Sequence, residues 1–122
     1  MAEISDYHAH VYFDENSKDR AIAICETVRD KFGVEMGRVH ERNVGPHPRW
    51  SCQLGFAPEA FAEVVPWLAL NRDGLTIFLH PSTGDHLADH TKHALWMGEM
   101  LDLNLAIFDR LNDTRSLRSP VF

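Results

Sequence analysis

The sequence is short of cysteine, of cationic charge and of long apolar runs, and each shortage removes a class of protein. Its 122 residues contain two cysteines, Cys25 and Cys52, and neither falls in a CxxC or CxxH spacing. A disulfide framework and a thiolate zinc site are therefore excluded as the basis of the fold, and both thiols are expected as reduced core residues. Twelve Lys and Arg against eighteen Asp and Glu give a formal charge of −6. That balance offers no field for a polyanion, so no nucleic-acid partner is expected. Only the tail, with Arg110, Arg115 and Arg118, is locally basic, and it is read as solvated. No apolar run approaches the roughly 18 residues of a membrane span, and MAEISDYHAH lacks the regions of a secretory signal. A cytoplasmic location without a membrane partner is the expectation. GxGxxG, GxxxxGK[ST] and GxSxG are all missing, which disfavours nucleotide and serine-hydrolase chemistry.

What is present patterns as one compact domain over residues 1–122, with 44% hydrophobic and 25% charged residues. Tyr7 to Phe13 alternates strictly, with Tyr7, Ala9, Val11 and Phe13 on one side and His8, His10 and Tyr12 on the other, which predicts a two-faced strand. Asn16 to Asp19 can cap a helix that carries Ala21, Ile22, Ile24, Cys25, Val28 and Phe32 and stops at Gly33. Strands follow at Val34 to His40 and Trp50 to Phe56, around the rigid Asn43–Pro48 loop. A second helix opens at Ala57-Pro58-Glu59, buries Phe61, Val64, Val65 and Leu68, and ends near Asn71 to Gly74. Leu75 to His80 is a fourth strand, and a helical stretch is expected from about His86 to Met100.

The order βαββαβ predicts an α+β, ferredoxin-like antiparallel sheet with both helices on one face and a C-terminal helical extension. The other face is then open and needs a ligand or a partner. A homodimer through that face is expected, unless the C-terminal third folds over it within one chain. Trp50, Phe56, Phe61, Trp67 and Trp96 are read as core residues.

Eight histidines are many for this length. Strand periodicity sets His8 and His10 side by side, at a separation one metal ion can bridge. In the usual strand order the fourth strand lies beside the first, so His80 reaches the same face. His47 is framed by Pro46 and Pro48, which hold its backbone and suit a preorganised ligand or acid/base group. His86, His90 and His93 share one helical face as a second set, while His40, His86 and His93 taken singly read as ordinary surface or hydrogen-bonded histidines. Imidazoles alone leave Fe²⁺, Zn²⁺ and other divalent ions open. Asp85, then Glu35 and Asp89, are the nearest candidate carboxylates, but the patterning puts none of them on the open face.

Tyr7-His8-Ala9-His10-Val11-Tyr12-Phe13, Gly45-Pro46-His47-Pro48, His80-Pro81-Ser82-Thr83-Gly84-Asp85 and His90 through Gly98, in that order, resemble the DOPA 4,5-dioxygenase family. The resemblance implies a dimeric ferredoxin-like domain and an extradiol dioxygenase that inserts both atoms of O₂ into a catechol such as L-DOPA. It implies Fe(II) held by His8, His10 and His80, with His47 or His90 moving protons and Arg49 pairing with a substrate carboxylate. The competing expectation is a non-catalytic metal or small-ligand binding protein, dimeric through its open sheet face. A Zn²⁺ hydrolase on the same histidines is a third.

Overall fold

The structure is a computed structural model, and it describes residues 3–108. Arg110, Arg115 and Arg118 lie outside the described residues. The elements run β1 (Tyr7–Phe13), α1 (Lys18–Phe32), β2 (Glu35–His40), β3 (Trp50–Phe56), a 3₁₀ turn (Pro58–Ala60), α2 (Phe61–Asn71), β4 (Ile77–Pro81), α3 (His86–Asp89), β5 (Leu95–Met97) and a second 3₁₀ turn (Leu105–Ile107). One antiparallel sheet has the order β2-β3-β1-β4-β5. Its first four strands carry the ferredoxin-like arrangement that the periodicity predicts, with β1 at the centre between β3 and β4.

Local chemistry explains the element ends. Asp14 Oδ1 accepts from the backbone N–H groups of Asn16 and Ser17 and from the Ser17 hydroxyl, closing the turn that launches α1. Gly33 ends that helix at φ 67°, with its N–H donated to the Arg29 carbonyl. The apolar sides of β1, β3 and β4 (Ala9, Val11, Cys52, Leu54, Ile77 and Leu79) then meet Ala21, Ile24, Val28, Val64 and Leu68 of the two helices in one buried core. Cys25 and Cys52 are free thiols within it.

Two expectations are corrected. The helical extension from His86 to Met100 is a single helical turn followed by a strand. The N–H groups of Thr91 and His93 both donate to the Ala88 carbonyl, which ends α3, and Leu95 to Met97 then pairs along Ile77 to Leu79 as a fifth strand. Nor is the second sheet face open. His8, His10, Tyr12, Phe78 and His80 are all buried on it, under chain that returns after β4: His90 packs at a tilt on His80 with ring centres 4.1 Å apart, and Phe108 packs likewise on His90 at 4.2 Å. Asn104 N–H donates to the Pro46 carbonyl at 2.9 Å, tying this covering segment to the proline-framed loop. Among the described residues, no helix is long and apolar enough to cross a membrane.

Candidate metal centre

Alternation along β1 turns His8, His10 and Tyr12 away from the helices, and the β1–β4 register sets His80 directly across from His8 and Phe78 across from His10. Residues 70 positions apart in sequence are thereby brought together. The His8–His80 and His10–His80 ring centres are 5.2 Å apart and those of His8 and His10 6.0 Å. One nitrogen from each converges, all within 4.8 Å of one another, the one such His/Cys/Asp/Glu group found among the described residues.

Their chemistry fits a metal ion. His80 Nδ1 lies 2.9 Å from the Pro81 carbonyl, which can only accept, so Nδ1 carries the proton and Nε2 presents its lone pair. That Nε2 faces His10 Nε2 at 3.1 Å. Metal–nitrogen bonds of roughly 2.1 Å at a right angle place two ligand atoms about 3.0 Å apart, so this pair already stands near ligand spacing. His10 Nδ1 is buried with no hydrogen-bond partner among the described residues. Burial, and then the neighbouring imidazoles, push the pKa values of His10 and His80 well below the ordinary histidine range. Both rings are therefore neutral, the form that ligates.

Two further imidazoles flank the trio. His47 packs on His10 with ring centres 4.1 Å apart, and its Nδ1 is 2.7 Å from the Tyr12 hydroxyl. His90 packs on His80, and its Nδ1 donates to the His86 carbonyl at 2.7 Å. Burial is the main cause that lowers their pKa values, to about 3 for His47 and about 4 for His90. Phe78 lies against His10, His47, His80 and His90, and Trp96, read from the sequence as a core residue, packs on Phe78 on this face.

The remaining candidates fall elsewhere. His86 serves His90 through its backbone carbonyl, His93 bonds Asp89 at 2.9 Å, and His40 ends β2 half-buried. Asp85 caps α3 by accepting from Ala88 N–H, and buried Asp89 accepts from the backbone and hydroxyl of Thr83. Glu35 is exposed but leans toward the site: a side chain at Gly55, between Glu35 and His8 in the sheet, would meet both at 3.8 Å. Arg49 is half-exposed, pairs with Glu99 at 3.2 Å, and lines a cavity of about 670 Å³ together with Tyr12, Trp50 and Thr76. Sequence reasoning passed over three neighbours. Asp6 Oδ2 is 3.6 Å from His8 Nε2, Gln53 lies buried across from His10 on β3, and Tyr12 joins His47 to the cavity. The alternation 6, 8, 10, 12 contained the first and third; Gln53 needed the register.

A ferredoxin-like sheet with convergent, buried imidazoles on the face away from its helices defines a candidate histidine-ligated metalloprotein. The comparisons narrow the class. The profile of the Dopa 4,5-dioxygenase family matches residues 7–107, and the chain belongs to that family. It is 33% identical to a DOPA 4,5-dioxygenase of Amanita muscaria over 98% of its own length, spanning 56% of that protein. An uncharacterised 21.2 kDa protein of Botryotinia fuckeliana is 33% identical across 90% of this chain and 67% of its own. A crystal structure from Nostoc punctiforme, which carries a provisional dioxygenase name, superposes with a TM-score of 0.83 at 47% identity, covering 88% of this chain and 92% of that one. Kinship and site together support a dioxygenase with a metal-binding histidine cluster.

Proposed function

We propose that the chain is an extradiol ring-cleaving dioxygenase that acts on a catechol such as L-DOPA, with Fe(II) held by His8, His10 and His80. The observation that carries this reading is the buried convergence of the His8, His10 and His80 imidazoles on one sheet face. Fe(II) bound there would supply the redox chemistry that joins O₂ to the ring, with both oxygen atoms retained in the product. The protein's own groups do the rest. Burial under His90 and Phe108 excludes bulk water. His90, with its proton fixed on Nδ1, offers a bare Nε2 that takes a catechol proton. His47 is the other candidate to move protons. Arg49 can exchange its exposed Glu99 partner for a substrate carboxylate at the cavity wall. A homodimer in the cytoplasm belongs to the same reading, and sedimentation of the metal-loaded chain tests its stoichiometry.

The deciding experiment loads the full chain anaerobically with Fe(II), then adds a catechol and air. O₂ uptake with a ring-opened chromophore is the expected result. His8→Ala, His10→Ala and His80→Ala should each lose bound iron and lower turnover at least about 100-fold. Retention of both metal and turnover in these variants would refute the ligand set. Tight metal or catechol binding without O₂ uptake would replace the enzyme with a binding protein, and hydrolysis with Zn²⁺ would replace the reaction class.

A further inference from the structure

Tyr12 occupies the next position after His8 and His10 on the buried face of β1, and it touches two things at once. Its ring lines the 670 Å³ cavity that Arg49 also lines, and its hydroxyl reaches His47 Nδ1 at 2.7 Å. It is 1% exposed, and His47 is the one hydrogen-bond partner its hydroxyl has among the described residues.

The direction of that bond follows from the chemistry of the two groups. The phenolic oxygen shares its lone pair with the ring, which makes it a strong donor and a weak acceptor. An unprotonated imidazole nitrogen is a strong neutral acceptor. Tyr12 therefore donates, His47 Nδ1 is bare, and the ring's proton sits on Nε2. His90 is the reverse case, because the His86 carbonyl can only accept and so keeps the proton on His90 Nδ1. The two flanking imidazoles are thus set in opposite tautomers, His47 beside His10 and His90 beside His80. Pro46 and Pro48 limit the backbone around His47, and the Tyr12 bond adds a side-chain constraint on its ring beside the packing on His10 and Phe78.

We infer that Tyr12 is a positioning residue that holds His47 as a hydrogen-bond donor at Nε2, leaving His90 as the base of the reaction proposed above. The division of labour rests on that reaction; the tautomer of His47 does not.

The test is nitrogen NMR of the full chain with labelled histidine, as the Zn²⁺-loaded, diamagnetic form, alongside steady-state kinetics of the Fe(II) form. In the native protein His47 should show an unprotonated Nδ1 and a protonated Nε2, with His90 the opposite. Tyr12→Phe removes one oxygen and keeps the ring. It should shift the His47 nitrogens toward a mixture of tautomers while Zn²⁺ affinity stays within about threefold, and lower kcat by about tenfold or more with little change in KM. A native His47 protonated at Nδ1 would overturn the inference, and that reading needs no variant to fold. Unchanged His47 shifts in Tyr12→Phe would overturn it equally. Because the nitrogen shifts are read without turnover, failure of ring cleavage and failure of this inference are told apart.

Discussion

Asp89 makes three hydrogen bonds without exposure to solvent: it accepts from Thr83 N–H at 2.8 Å, from the Thr83 hydroxyl at 2.6 Å and from His93 Nδ1 at 2.9 Å. It is a loop clamp rather than a ligand, and it precedes His90 in the chain, so the position of that imidazole depends on it. Truncation removes the acceptor of the half-buried Thr83 donors and empties the buried space of the Asp89 carboxylate. Asp89→Ala is expected to cost about 3 kcal/mol in urea unfolding, with Asp89→Asn costing less because it keeps an acceptor. At this scale the sequence announces residue types better than roles. Asp89 and Asp85 look alike as acidic neighbours of a histidine, and only their hydrogen bonds make one a clamp and the other a helix cap. The alternation puts Tyr12 on the histidine face, but its role is hidden for a similar reason, since its partner lies 35 positions away.

Elements differ in what their glycines permit. Gly33 closes α1 at φ 67° with nothing within 4 Å of where a Cβ would sit, so Gly33→Ala should cost only the left-handed backbone penalty, about 1 kcal/mol. Gly98, at φ 86° just after β5, would place a Cβ 2.9 Å from Arg72 Nη1, which itself donates to the Leu75 carbonyl. Gly98→Ala should therefore cost more, roughly 2 kcal/mol, because that contact must shift as well. Paired thermal melts of the two variants check the order. The long elements were legible from periodicity: the alternation of Tyr7 to Phe13, the apolar stripe of α1 and the two-faced fourth strand all form as patterned. β5 was not legible, because three residues cannot display a period. The i, i+4 spacing of His86 and His90 mimicked a long helix whose end is fixed by backbone bonds to a single carbonyl.

For the whole molecule, the buried imidazoles link stability to pH. His10, His47, His80 and His90 have folded-state pKa values below the ordinary 6.5, chiefly through burial. As pH falls through 6.5 the unfolded chain takes up protons that the folded chain refuses, so stability drops. The loss continues toward about pH 4, where His90 begins to protonate in place, and about 3 for His47. Each such group removes at most about 1.4 kcal/mol per pH unit in that window. The chelator-treated protein should melt at a clearly lower temperature at pH 5.5 than at pH 7.5; equal melting temperatures would mean that these rings are protonated in the fold. The site's outline could be read from the sequence because strand order alone brings His80 to His8. Its lid stood only as one of two alternatives, a second copy or the C-terminal third, because cover by the C-terminal segment leaves no periodic trace. The trio also spans the β1–β4 seam, joining the beginning of the chain to its last third. An ion bound there would act as a rivet across the longest loop the sheet has to close, and an extended chain, with those three rings scattered, has no comparable grip on it.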